Sequence, residues 1–123
     1  MSVINKRKIG NWGESQACSF LIRQGYKIIA RNYWTREGEI DIIAQIDNKI
    51  SFIEVKTRTC GEDSAERSFD KNKKVKMFKA IEQYCQAKKL QIEEIAMYIE
   101  QISVYIDKRN KVVKFKKYLT SLD

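Results

Sequence analysis

The chain contains no histidine, which excludes an imidazole general base and a Cys–His zinc site from the start. Cysteines are few and odd in number. Cys18, Cys60 and Cys85 are widely spaced and form no CxxC pair, which fits free thiols in a reducing compartment better than a disulfide framework. No apolar run approaches the ~20 residues of a membrane span. The opening MSVINKRKIGNWGES is basic but lacks the apolar segment of a secretory signal. The expectation is a cytoplasmic protein with no membrane partner. Low-complexity tracts, repeats and linkers are also missing, and 123 residues suit one compact domain, so residues 1–123 are read as a single unit. Acidic residues are in deficit, 16 against 24 basic, for a formal net charge of +8. Such a surplus favours polyanionic partners, with nucleic acid ahead of acidic membrane surfaces and acidic proteins.

What is present is a clear succession of elements. Ala17, Cys18, Leu21 and Ile22 recur at helical spacing, and Gly25 stands where a C-terminal cap belongs, so residues 13–24 are expected to be helical. Residues 26–34, 40–46 and 50–57 are rich in Ile, Tyr, Trp, Phe and Val and read as strands. Asp47-Asn48-Lys49 is turn chemistry. The stretch RTCGEDSAERS, Arg58 to Ser68, reads as an irregular loop. A second helix over about 70–89 is expected to bury Val75, Phe78, Ile81, Tyr84 and Cys85 and to expose a lysine-rich face. Residues 97–107 and 111–119 form a last strand pair around Lys108-Arg109-Asn110. The order αβββαββ, with strands apolar on both faces, implies an α/β fold. A central mixed five-stranded sheet would sit in a three-layer α/β/α sandwich, the second helix acting as a crossover.

Inside those strands stand three ionisable residues, Asp41, Glu54 and Lys56. Charges in a sheet core are costly unless paired, hydrogen-bonded or bound to a metal. Alternation puts Asp41 on one face with Ile43 and Gln45, and Glu54 and Lys56 on one face with Ile50 and Phe52. A two-residue Asp47-Asn48 turn would set Asp41 opposite Glu54. An Asn48-Lys49 turn would set it opposite Lys56, and a three-residue loop would disturb both matches. Two adjacent carboxylates raise one another's pKa, and a divalent ion removes the conflict. Mg²⁺, or Mn²⁺ in its place, suits carboxylate oxygens supplemented by the Val55 carbonyl, water and a phosphate. Lys56 would steady charge on that phosphate or help orient and deprotonate water. Glu14 precedes Ala17, Cys18 and Leu21 by helical steps, so it lies on the apolar stripe and is within reach as a third carboxylate.

GEID at Gly38–Asp41 and FIEVKTR at Phe52–Arg58, with Gly10, Gly13-Glu14, Ala17, QGYKIIARNY and the lysine-rich helix, resemble the YraN family of uncharacterised bacterial proteins over almost the whole chain. That family is in turn similar to the PD-(D/E)XK superfamily, which includes restriction enzymes and Holliday-junction resolvases. The resemblance implies a restriction endonuclease-like fold with a magnesium site formed by Glu14, Asp41, Glu54 and Lys56. Glu14 would serve a second metal or a bound water. It implies a metal-dependent endonuclease acting on DNA, including structured or branched DNA, with Arg31, Arg36, Arg58, Lys73 and Lys74 guiding the backbone. Junction-cleaving members act as dimers, so a homodimer is admitted. Two departures stand out: the superfamily's Pro-Asp pair is Ile40-Asp41 here, and a Phe-Asp-Val-like run is Ile102-Ser103-Val104.

Plainer roles compete for several of these residues. Glu14 would also suit a first helical turn through the helix dipole. Glu54 would also pair with Lys56 or Arg58 as an ordinary ion pair. The run Lys73, Lys74, Lys76 and Lys79 would also serve as a solvated face. Trp12, Tyr33 and Trp34 are candidates for stacking on bases or for packing, while Cys18 and Cys85 belong to the core. Two other functions remain open: a nucleic-acid-binding module without turnover, and a protein-interaction subunit.

Overall fold

The structure, a computed structural model, describes residues 6–59, 71–90 and 95–120. The loop expected over Arg58 to Ser68, including Cys60, lies outside the described residues from residue 60 on. Helix α1 (Lys6–Arg23) leads into strands β1 (Lys27–Trp34), β2 (Glu39–Ile46) and β3 (Lys49–Thr59). Helix α2 (Lys71–Lys88) follows, then β4 (Ala96–Asp107) and β5 (Val112–Leu119). The five strands form one mixed sheet in chain order, antiparallel except for the β3–β4 pair. That single parallel junction is the one spanned by the α2 crossover, as a parallel connection requires. The order αβββαββ and the helix on each face make a three-layer α/β/α sandwich of restriction endonuclease-like layout.

Each face has its own core. Ala17, Cys18 and Leu21 of α1 pack with Ile42, Ala44, Ile53, Ile102 and Val104. Met77, Ala80, Ile81, Tyr84 and Cys85 of α2 pack with Ile40, Ile43, Ile50 and Phe52. Tyr84 meets the rings of Tyr33 and Phe52 edge-on, at 5.1 and 5.7 Å between centroids. Val75 and Phe78, expected inside, are exposed, and so is Ile22. The buried stripe of α2 runs Met77–Ala80/Ile81–Tyr84, at helical steps of three and four, which turns Val75 and Phe78 away from the sheet. The run Ile102-Ser103-Val104 is fully buried in the middle of β4, so its departure from the superfamily pattern falls in the core rather than on the surface.

Both helices stop by the same device. Gly25, at φ 96, follows α1, with Tyr26 N–H bonded to the Leu21 carbonyl and Gly25 N–H to that of Ile22. Lys89, at φ 52, does the same for α2 through Leu90 to Cys85 and Lys89 to Gln86. This pair of bonds caps the last carbonyls and needs one residue in the left-handed region.

The start of α1 differs from expectation. The helix begins at Lys6, not near Gly13, so Glu14 sits in its interior and the first-turn dipole role does not apply. Glycines at 10 and 13 weaken the sequence signal for helix, but Gly13 has a tertiary reason. A Cβ there would lie 1.9 Å from Thr57 Oγ1 and 3.2 Å from Thr57 Cβ. The missing side chain lets α1 touch β3 beside the candidate site. Gly13→Ala should therefore destabilise the fold by about 1–3 kcal/mol, despite the better helix former, because α1 must back away from the sheet. Gly10→Ala meets nothing within 4 Å and should be neutral or stabilising. Chemical denaturation of the two variants checks this, and equal stability of both would remove the close-approach argument.

Candidate metal centre

The turn between β2 and β3 settles the register. Ile46 pairs with Lys49 across the two residues Asp47-Asn48, and the ladder continues to Ile42 with Ile53. One further step of that register would set Asp41 against Glu54. Asp47 takes φ 50, a conformation that Asp tolerates better than most residues. Beyond Ile42–Ile53 the ladder changes character. Val55 N–H, which a continued ladder would give to the Ile40 carbonyl, is bonded to Asp41 Oδ2 at 2.9 Å. The carboxylate thus replaces a main-chain acceptor, which holds it in the sheet.

Side-chain alternation breaks at this same level. Ile42 and Ala44 belong to the α1 core and Ile43 to the α2 core, yet Ile40 is also in the α2 core. On β1, Arg31 donates to Ser15 of α1 at 3.1 Å, whereas Tyr33 packs on Tyr84 of α2. Between them Asn32 has φ 51, which turns the strand over, and it stands opposite Asp41 in the β1–β2 register. Asp41 therefore sits where the sheet changes face. It can feel carboxylates from both layers.

On the α1 side those are Glu14 and Glu39. Carboxylate oxygens of Glu14, Glu39 and Asp41 all lie within 4.8 Å of one another. The Asn32 amide, oriented to satisfy both neighbours, donates to Glu39 Oε1 at 2.8 Å and to Glu14 Oε2 at 2.9 Å. Glu39 arrives through a tight β1–β2 turn. Thr35 Oγ1 accepts the N–H groups of Glu37 and Gly38 and donates to the Gly38 carbonyl at 2.8 Å. On the α2 side is Glu54, whose Oε1 is 2.9 Å from Lys56 Nζ and 3.1 Å from Lys73 Nζ. Asp41 and Glu54 line one cleft of about 260 Å³ together with Gly38, Glu39, Lys73, Lys76 and Met77. A second cleft of about 590 Å³ adjoins Glu39 on the other side, lined by Gly10, Asn11, Glu14, Asn32 and Trp34.

The electrostatics follow from this crowding. Burial pushes the Asp41 carboxyl up to about 7, with Glu14, Glu54 and Glu39 adding to the rise and the Val55 N–H opposing it. Burial likewise raises Glu14, helped by Glu39 and opposed by Arg31 and Asn32, and raises Glu39. Lys56 is lowered, by burial first and by the neighbouring Lys73, while Glu54 works against the shift. Three hard oxygen donors that repel one another are a donor set suited to Mg²⁺ or Mn²⁺. On that chemistry Glu14, Glu39 and Asp41 fit a divalent ion.

The remaining expected residues are placed as follows. Glu54 lies beside the three-carboxylate group but is held by two ammonium groups. Arg31 and Arg36 are exposed, and Arg58 is half-buried and donates to the carbonyl of Thr57. Lys73 is drawn to Glu54, and Lys74 is half-buried on the same helix. The structure adds Glu39 and Asn32 to the site residues expected from the sequence. Glu39 carried a signal, since a residue two before Asp41 shares its face in a regular strand. Asn32 carried none, because its role depends on a backbone reversal.

The pattern of the Uncharacterised protein family UPF0102 matches residues 13–115. The chain belongs to this family. A UPF0102 protein of Caldicellulosiruptor bescii is 35% identical over 90% of this chain and 93% of its own length. One of Caldicellulosiruptor saccharolyticus is 37% identical over 89% and 92%, and one of Clostridium perfringens 36% identical over 90% and 92%. The match covers the carboxylates and lysines of both clefts in this UPF0102 chain, while Gly10 and Asn11 of the second cleft precede it. No helix among the described residues is long and apolar enough to cross a membrane.

Proposed function

We propose that this UPF0102 chain is a metal-dependent endonuclease that hydrolyses phosphodiester bonds, with DNA, structured or branched, as the substrate class. The observation that carries the reading is the shared cleft. Asp41 and Glu54 line it with Lys73, Lys56 is bonded to Glu54, and Glu14 and Glu39 close on Asp41 from the α1 side.

Glu14, Glu39 and Asp41 would hold Mg²⁺ or Mn²⁺. The Val55 carbonyl is a further donor, because N–H and C=O of one strand residue face the same neighbour. When bound, such an ion supplies charge neutralisation at the phosphoryl oxygens and acidifies water. Glu54 fixes the Lys56 ammonium through their 2.9 Å contact. Lys56 stabilises the charge that builds on phosphorus oxygens as water attacks and the ester P–O bond breaks. Lys73 and Lys76 line the cleft and attract the phosphate. Arg31, Arg36, Arg58 and Lys74 would steer the flanking backbone, an attraction that weakens with salt.

The test is a panel of linear duplex, flapped, four-way and single-stranded DNA incubated with Mg²⁺, Mn²⁺ or EDTA. Cleavage of at least one substrate is expected with a divalent ion and none in EDTA. Salt-sensitive binding with no cut on any substrate would replace the nuclease by a binding module of the same fold.

A further inference from the structure

We infer that the 590 Å³ cleft on the α1 side of the carboxylate group is a nucleobase site, with the Trp34 indole as its stacking surface. The inference rests on the nuclease reading and narrows its substrate to DNA with an unpaired base next to the cut phosphate. The two clefts meet at Glu39 but differ in chemistry. The smaller one sets Lys73 and Lys76 beside Glu39, Asp41 and Glu54, so a phosphate there would meet the two lysines and an ion held by the carboxylates. Among the described residues the larger one is lined by no lysine or arginine, and its two carboxylates, Glu14 and Glu39, are proposed ligands of the ion. With those carboxylates holding the ion, the lining left to a ligand is the Asn11 amide, which can donate and accept, and the face of the Trp34 indole, a combination that suits a base.

Trp34 is the last residue of β1 and is 72% exposed. Its neighbour Tyr33 is committed to Tyr84, so the two aromatics of this pair are divided between core and cleft. A large exposed indole beside polar groups is the arrangement on which bases stack, whatever their sequence. The opposite wall is α1. Asn11 is exposed on it, and at Gly10 a Cβ would meet nothing within 4 Å. The volume lies in the range of small-ligand sites, ~300–1,000 Å³. In a continuous duplex the bases are stacked inside and a base enters such a cleft only by leaving the helix. Single strands and flaps present bases already free.

Fluorescence anisotropy with a labelled single-stranded oligonucleotide and a duplex of equal length, in Ca²⁺, tests this without requiring turnover. The parent should bind the single strand about tenfold or more tightly than the duplex. Trp34→Ala and Gly10→Leu, the second filling the cleft from its open wall, should each weaken single-strand binding by about tenfold and leave duplex binding within about twofold. Trp34→Phe should recover most of the loss. Both positions are open to solvent or space, so unchanged thermal unfolding confirms that the variants fold. Duplex binding that persists while the variants behave as the parent on single strands overturns the base site alone, as does an equal loss on both probes. No binding of either probe by the parent overturns it together with the nuclease reading.

Discussion

Lys56→Ala is expected to slow phosphodiester cleavage by about two to three orders of magnitude while leaving DNA binding within a few-fold. The Lys56 ammonium is half-buried, and its contact with Glu54 at 2.9 Å fixes its direction. A fixed charge in a partly desolvated cleft acts mainly on the charge that develops during reaction, so its removal should fall on kcat rather than KM. Glu54→Ala should produce a comparable loss by a different route. It removes a carboxylate beside Asp41 and leaves Lys56 and Lys73 next to each other without their shared partner. That lowers the Lys56 pKa further and frees its side chain. Lys56→Arg should not restore full activity, since a planar fork replaces a compact charge. Single-turnover rates on the best substrate of the panel give the answer. Activity near the parent's in both alanine variants would remove the cleft from the mechanism.

Asp41→Asn is expected to stabilise the metal-free protein at pH 8 and to abolish stabilisation by Mg²⁺. In the folded chain burial pushes the Asp41 carboxyl up to about 7, from an ordinary value of 3.8. The folded state therefore binds the proton more tightly than the unfolded state. Stability from this group is complete below about pH 4, is lost as pH rises toward 7, and stays lost above it. The ceiling on that loss is about 4 kcal/mol, and water entry and relaxation reduce it to about 2 kcal/mol. Asparagine carries no charge and keeps an oxygen for the Val55 N–H. The variant should melt roughly 6–10 °C higher than the parent at pH 8 in EDTA, and at the same temperature near pH 4. Millimolar Mg²⁺ should raise the melting temperature of the parent only, because an ion that binds the folded state alone stabilises it by mass action. Thermal scans across pH, with and without Mg²⁺, check both halves. A variant less stable than the parent at pH 8 in EDTA would show that the carboxylate is not under the repulsion described.

Much of the sheet could be read in advance because a strand writes its geometry locally. The Asp47-Asn48 turn and the pairing register counted from it were enough to bring Asp41 and Glu54 to the same level of neighbouring strands, although alternation on β2 does not hold as far as Asp41. Boundaries were harder. The first helix begins seven residues before the expected start: Gly10 and Gly13 lower helix propensity, and the cause of Gly13 is a contact with Thr57, far along the chain. Val75 and Phe78 misled for a related reason. The lysine-rich helix offers two overlapping apolar stripes, and only the sheet selects the one that is buried.

By itself the amino-acid order determined the succession αβββαββ, the family, and the convergence of Asp41, Glu54 and Lys56 at one end of two neighbouring strands. Those features depend on contacts between near neighbours, whose spacing a repeating backbone fixes. Tertiary structure alone decided that Glu39 joins Asp41 beside the expected Glu14, that Asn32 holds the two glutamates together, and that Lys73 reaches Glu54 from the second helix. Each of these depends on packing between layers. The strand reversal at Asn32 breaks the alternation from which side-chain directions are read, and no local pattern announces it.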